Sequence, residues 1–278
     1  MTFFRLRAGK LAIFRKALLR VAKMTSCVNF MYTNFGGDAM NLKGQKIVVI
    51  GGSSGMGLAA AKALVQEDAT VVIASRAREK LAAVKARIAG EVETASLDFT
   101  DETAVKKFFE ANGKIDHLVL AAAGPPAWGK FLELDPAALR KAFDTKFWGY
   151  FNCARHAVPR LRGDGSMTFL TGGASRTAIP GTSGLAAVNG AITCMAYTLA
   201  KELAPLRVNV ISPGLIDTPA YDWMSEDEKQ AFFQQMGGGL PVKRIGQPQE
   251  IAEAVLLLVS NGFITGAVLD VDGGARLT

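Results

Sequence analysis

The feature that most limits what this chain can fold into is a junction near residue 50. An apolar, β-branched run, Lys46–Ile50, ends in Gly51-Gly52-Ser53-Ser54-Gly55-Met56-Gly57, and an alanine-rich segment with helical periodicity, Leu58–Gln66, follows at once. The same alternation continues along the chain. Strands are expected at Thr70–Ala74, Val92–Leu97, His117–Ala121, Ser166–Thr171, Arg207–Ile211 and Ala267–Val271. Helices are expected at about Arg76–Ile88, Glu102–Ala111, Ala137–Val158, Gly184–Leu203 and Gln249–Ser260. Short buried strands alternating with helices of 10–20 residues give βαβ units, hence a doubly wound α/β domain with a parallel sheet covered on both faces. No repeat or linker interrupts it, so one domain is expected from about 40 to 278.

Composition narrows the function classes. The chain has 278 residues, 49% of them hydrophobic, enough to bury a sizeable core. No stretch of 18 or more uncharged apolar residues is present, so no membrane span is expected. Cys27, Cys153 and Cys194 are widely spaced and odd in number. They form neither a disulfide framework nor a CxxC motif, which fits a reducing compartment such as the cytoplasm. The two histidines, His117 and His156, have no metal-ligand spacing. The net charge of +7 invites a nucleic-acid reading, but seven cations against Asp38 alone fall within residues 1–39. The remaining body is close to neutral, which argues against nucleic acid. The basic segment 1–39 is read as an extension outside the fold, Met40 resembling a natural start; an organellar targeting peptide or a partner-binding helix are the alternatives.

The turn 51–57 has the chemistry of a dinucleotide site. Glycines let the backbone approach a pyrophosphate, and the following helix offers free N–H groups at its positive end. The second strand ends in Ala74-Ser75-Arg76, where an NAD site usually places an acid for the ribose 2′-hydroxyl. Ser75 and Arg76 supply a donor and a cation suited to a 2′-phosphate, which favours NADP(H). The alternative is an ordinary solvated arginine at a helix start.

From about Gly44 to Gly274 the chain resembles the short-chain dehydrogenase/reductase family. Ile50–Gly57 is similar to its TGxxxGxG turn, with Ile50 for Thr. Ala121-Ala122-Ala123-Gly124 stands for NNAG. Arg207-Val208-Asn209, Pro213-Gly214 and Thr218 resemble the segment after its sixth strand, and Thr265-Gly266 and Asp272-Gly273-Gly274 its C-terminal signature. The resemblance implies a single-domain Rossmann fold with a seven-stranded parallel sheet, a homotetramer or homodimer, and a lid at about 219–240. It also implies a cofactor site that includes Gly51, Ser53, Ser54, Gly55, Met56, Gly57, Asp98 against the adenine, Ala122, Ala123, Gly124, Pro213, Gly214, Ile216 and Thr218.

The family's catalytic Asn, Ser, Tyr and Lys are not matched. Aligned by its flanks, the long helix puts Leu185 at the Tyr position and Asn189 at the Lys position. Gly172 takes the Ser position, and Lys146 stands where Asn belongs. Tyr197 and Lys201 satisfy YxxxK literally, but Tyr197 lies twelve residues beyond Leu185, about 18 Å along a helix. Lys146 and Asn189 thus look like an exchanged pair, with Lys146 filling the space of the usual helix lysine and Asn189 bonding the nicotinamide ribose; a drifted, solvated Lys146 is the plain alternative. A proton donor would have to be Lys146, Thr171, Ser175 or water. Ser175 and Arg176 could face substrate or form an ordinary turn. Trp128 and Trp148 are expected in the core or an interface. The aromatics of 220–240 suggest an apolar pocket, for a small-molecule substrate such as an apolar carbonyl or enone, with oligomer contacts as the equal alternative. Two functions follow: an NADP(H)-dependent oxidoreductase with a non-standard centre, or a cofactor-holding pseudoenzyme acting as sensor or subunit.

Overall fold

Each central strand is apolar on both faces, so it demands cover on both sides. The computed structural model describes residues 42–125 and 127–278, and these supply that cover. The expectations for residues 1–39 and for Met40 lie outside the described residues. Seven strands run parallel: β1 (Lys46–Ile50), β2 (Thr70–Ser75), β3 (Val92–Ser96), β4 (Ile115–Leu120), β5 (Leu161–Leu170), β6 (Arg207–Pro213) and β7 (Val268–Val271). Their order is β3-β2-β1-β4-β5-β6-β7. The order reverses between β1 and β4, which opens a crevice at their carboxyl ends.

One face carries Val48, Ile50, Leu118 and Leu120 beneath α3 (Glu102–Asn112), α5 (Trp148–Ala157) and α6 (Ser183–Glu202). The other carries Ile47, Val49, Val71 and Ile73 beneath α1 (Gly55–Gln66), α2 (Arg78–Arg87) and α8 (Pro248–Ser260). Ala60 and Ala61 keep α1 thin where it packs on α8, whose Ile251, Val255 and Leu258 are buried. Helix starts follow local chemistry. Asp101 accepts from Ala104 N at 3.1 Å to cap α3, and Asp135 accepts from Ala137 N at 2.8 Å to cap α4 (Pro136–Ala142). α6 has the length and composition of a membrane span, but its Val188, Ile192 and Ala196 are buried against the sheet, as in a core helix.

Two elements differ from the sequence reading. The helix expected over 137–158 is broken by a π turn, Phe143–Phe147, between α4 and α5. Such turns admit an extra residue into a helix and often mark functional positions, and here it carries Lys146. The segment 219–240, expected as a lid, holds a helix, α7 (Glu226–Gly239), started by a reciprocal Ser225–Glu228 capping box.

Candidate active site

The crevice floor is made of backbone. Gly51 has φ +85°, and a Cβ there would stand 2.5 Å from the Ala122 nitrogen. A Cβ on Gly57 would fall on the Gly51 carbonyl oxygen, and one on Gly55, φ +52°, would touch Thr218 at 3.4 Å. The turn is tied to the end of β4 by Ala121 N donating to Ile50 O at 2.9 Å. Gly51, Gly55, Gly57, Ala122 and Thr218 are therefore brought together. Pro213 ends β6 and Gly214 packs on Asp272, where a Cβ would lie 2.7 Å from its Cα. Ile216 is buried and bridges to Gly246. Ser54 precedes α1 in an extended conformation and its hydroxyl does not cap the helix, so no capping side chain occupies the first-turn N–H groups. Ser53 and Met56 are partly buried in this turn, Met56 against the core.

At the end of β2, Ser75 Oγ accepts from Ala77 N at 3.2 Å. Arg76 is exposed. Asp98 accepts from Thr100 Oγ1 at 2.7 Å and Thr100 N at 3.0 Å. The Thr100 hydroxyl is the main cause that holds the Asp98 carboxyl below its usual pKa, and the Arg76 charge adds to it. Arg76 and Asp98 thus share one rim of the crevice.

The centre of the site is built from side chains. Lys146 Nζ donates to Asn189 Oδ1 at 2.9 Å and to the Thr171 carbonyl at 2.9 Å. Burial pushes the Lys146 ammonium down to about pKa 8. No carboxylate pairs with it among the described ion pairs. Its stem fills the space at Gly124, where a Cβ would stand 3.0 Å from Lys146 Cβ. A Cβ on Gly172 would stand 2.9 Å from Asn189 Nδ2. Lys146 and Asn189 are thus in direct contact, with Lys146 partly buried. Leu185 is partly buried one turn before Asn189 on α6, and Ala123 is exposed beside Gly124. The sequence reading missed Tyr150. Its buried hydroxyl donates to Ala122 O (2.9 Å) or Leu170 O (3.2 Å), so it joins the ends of β4 and β5, and its ring centroid lies 5.9 Å from Lys146 Nζ. Its spacing of four residues from Lys146 was the available signal.

The other candidate side chains are bonded elsewhere or exposed. Thr171 Oγ1 donates to Ile211 O at 3.2 Å, and Ser175 Oγ donates to Gly172 O at 3.2 Å. Arg176 is committed to Asp270 at 3.0 Å, so it serves the outer turn. Tyr197 and Lys201 lie on an exposed stretch of α6. Trp128 and Trp148, expected in the core or an interface, are 62% and 50% exposed in the single chain, which excludes the core. Trp128 follows Gly124 in a surface loop, and Trp148 meets Phe147 and Phe151 edge-on at a helix surface. Near α7, Tyr221 rests against Phe232 and Phe233, and Lys229 bonds Asp217 at 2.9 Å.

Residues 50–276 match the family model described as enoyl-(acyl carrier protein) reductase. The 3-oxoacyl-[acyl-carrier-protein] reductase FabG of Thermotoga maritima is 29% identical over 248 residues, covering 84% of this chain and 99% of that protein. A solved small-chain dehydrogenase in complex with NADPH is 39% identical, with a TM-score of 0.73, over 84% of this chain and 99% of that one. A short chain oxidoreductase from Pseudomonas aeruginosa PAO1, described as containing an atypical catalytic center, is 27% identical with a TM-score of 0.78, over 84% of this chain and 98% of that one. The chain belongs to the short-chain dehydrogenase/reductase family, an oxidoreductase family.

Proposed function

We propose that this chain is an NADP(H)-dependent oxidoreductase acting on a small apolar carbonyl or enone through a non-standard centre. The observation that carries the reading is the glycine cradle at the switch point, rimmed by Arg76 where an acid would select NAD. The turn from Gly51 to Gly57 and the N-terminus of α1 would hold the pyrophosphate, with Ser53, Ser54 and Met56 around it. Ser75 and Arg76 would take the 2′-phosphate, and Asp98 would meet the adenine. Ala122, Ala123, Gly124, Pro213, Gly214, Ile216 and Thr218 would line the remainder. The nicotinamide, when bound, supplies the hydride. Asn189 would bond its ribose, while Lys146 keeps a cation beside it, so that one exchange of side chains preserves both functions.

Relatives named for reductase or oxidoreductase activity favour catalysis over a protein that only holds the cofactor. The aromatic cluster of Tyr221, Phe232 and Phe233 supports an apolar substrate. Fluorescence titration tests the cofactor assignment. NADPH is expected to bind at least about tenfold more tightly than NADH, and Arg76→Ala to remove most of that difference, a charge-assisted contact of about 1.5–3 kcal/mol. A preference for NADH would overturn the assignment.

A further inference from the structure

The Lys146 ammonium is held in an unusual way. It has three N–H bonds. Two of them go to neutral oxygens, the Thr171 carbonyl on the β5 side and the Asn189 amide on α6. Gly124 packs on its stem and Tyr150 presents a ring, and neither brings a charge. A partly buried cation with no paired anion is costly, and the structure holds it on two neutral oxygens. The nearby hydroxyls of Thr171 and Ser175 already donate to Ile211 O and Gly172 O.

We infer that the third Lys146 N–H is an oxyanion site, which hydrogen-bonds the substrate's reacting oxygen and then protonates it, so that the chain takes substrates whose oxygen is anionic or becomes so during reaction. This rests on the oxidoreductase reading and deepens it. In carbonyl reduction, the Lys146 Nζ–H bond breaks as the carbonyl π pair moves onto oxygen, and the proton passes to that oxygen. The hydride that completes the carbonyl carbon comes from the reduced nicotinamide. The neutral amine regains its proton from water. Burial lowers the Lys146 pKa to about 8, which leaves the ammonium populated at neutral pH and a ready donor.

The test uses 4-nitrophenol as an oxyanion mimic, its anion read by absorbance, with the full chain alone and saturated with NADP+. Near the free phenol's own pKa, the wild type is expected to bind the anion about ten- to a hundredfold more tightly than the neutral phenol, equivalent to one or two pKa units. That preference should fade as pH rises through about 8. Lys146→Arg, charged throughout, should keep the preference above that pH, and Lys146→Met should lose it, with far-UV circular dichroism confirming that each variant is folded. If Lys146→Met is not folded, the wild-type pH midpoint and the Lys146→Arg variant still decide. Absence of anion preference in the wild type, absence of phenol binding at millimolar concentration, or its survival in folded Lys146→Met overturns the inference. NADPH binding is measured separately. If NADPH fails to bind while the phenolate preference holds, the cofactor reading falls and the oxyanion site stands.

Discussion

The two ends of the crevice are built from different material. The cradle at Gly51–Gly57 is backbone packed on backbone, with Ala122 and the Gly51 carbonyl where side chains would otherwise be. The centre at Lys146 and Asn189 is side chain bonded to side chain across 43 positions of sequence. A backbone cradle accepts almost any flanking residue but no added Cβ. A side-chain pair accepts relocation, provided that donor and acceptor both move. The two regions should therefore break in different ways.

Gly51→Ala is the harshest test of the cradle. The added Cβ meets the Ala122 nitrogen at 2.5 Å, in a backbone with φ +85° that an L side chain rarely adopts. Neither backbone segment can yield cheaply, since both continue buried strands. NADPH affinity is expected to fall by about a hundredfold or more, nearly 3 kcal/mol, with a lowered melting temperature. An Ala variant that binds NADPH normally would show that the turn is not the pyrophosphate site.

The exchanged pair calls for a double-mutant cycle. Lys146→Asn leaves the Thr171 carbonyl and the Asn189 amide without their shared cation. Asn189→Lys puts two ammoniums into a space that now holds one. Each single change should cost about 2–3 kcal/mol in denaturant unfolding. The double variant, which moves the lysine to α6 and the amide to the π turn, should recover much of that loss, with a coupling energy of about 2 kcal/mol. Additive losses would mean that the two positions are not interchangeable and that the drift was not an exchange.

Legibility in the sequence follows the same division. The central strands β1, β2, β4 and β6 and the turn 51–57 announce themselves because parallel strands buried on both faces read as apolar runs, and a close backbone approach demands glycine at fixed positions. The π turn did not, because a residue inserted into a helix leaves no gap in its apolar pattern. α7 was missed although Ser225 and Glu228 have capping-box spacing, since its exposed aromatics blur the periodicity. The contact of Lys146 with Asn189 was foreseen only through the resemblance, for nothing local joins positions 43 apart. The resemblance could not reveal that Gly172 is kept small by Asn189 itself, since a Cβ would stand 2.9 Å from its Nδ2.

At the amino-terminal end of the central strands, a second desolvated base makes a contrast with Lys146. His117, at the amino-terminal side of β4, bonds Ser166 Oγ at 2.8 Å through Nδ1 and Gln45 Oε1 at 2.7 Å through Nε2. Burial first, then the Arg207 charge, lowers its pKa to about 4, so it is neutral in the folded chain at pH 5–7. The unfolded chain takes up a proton below about pH 6.5 and the folded chain does not until about pH 4. Stability is therefore lost as pH falls through that window and is retained above it. Between pH 7 and pH 5 the loss attributable to His117 is about 2 kcal/mol. Lys146 obeys the same sign in another range: with its folded pKa near 8 and its unfolded value at 10.5, stability rises with pH between them. Urea unfolding of the wild type and His117→Gln at pH 5, 7, 8 and 10 separates the two bases. The variant should lose about 2 kcal/mol less over that interval, while the rise above pH 8 should be unchanged. If both windows flattened together, the two ends of β4 would not titrate as independent regions, and the division between a structural base and a functional one would fail.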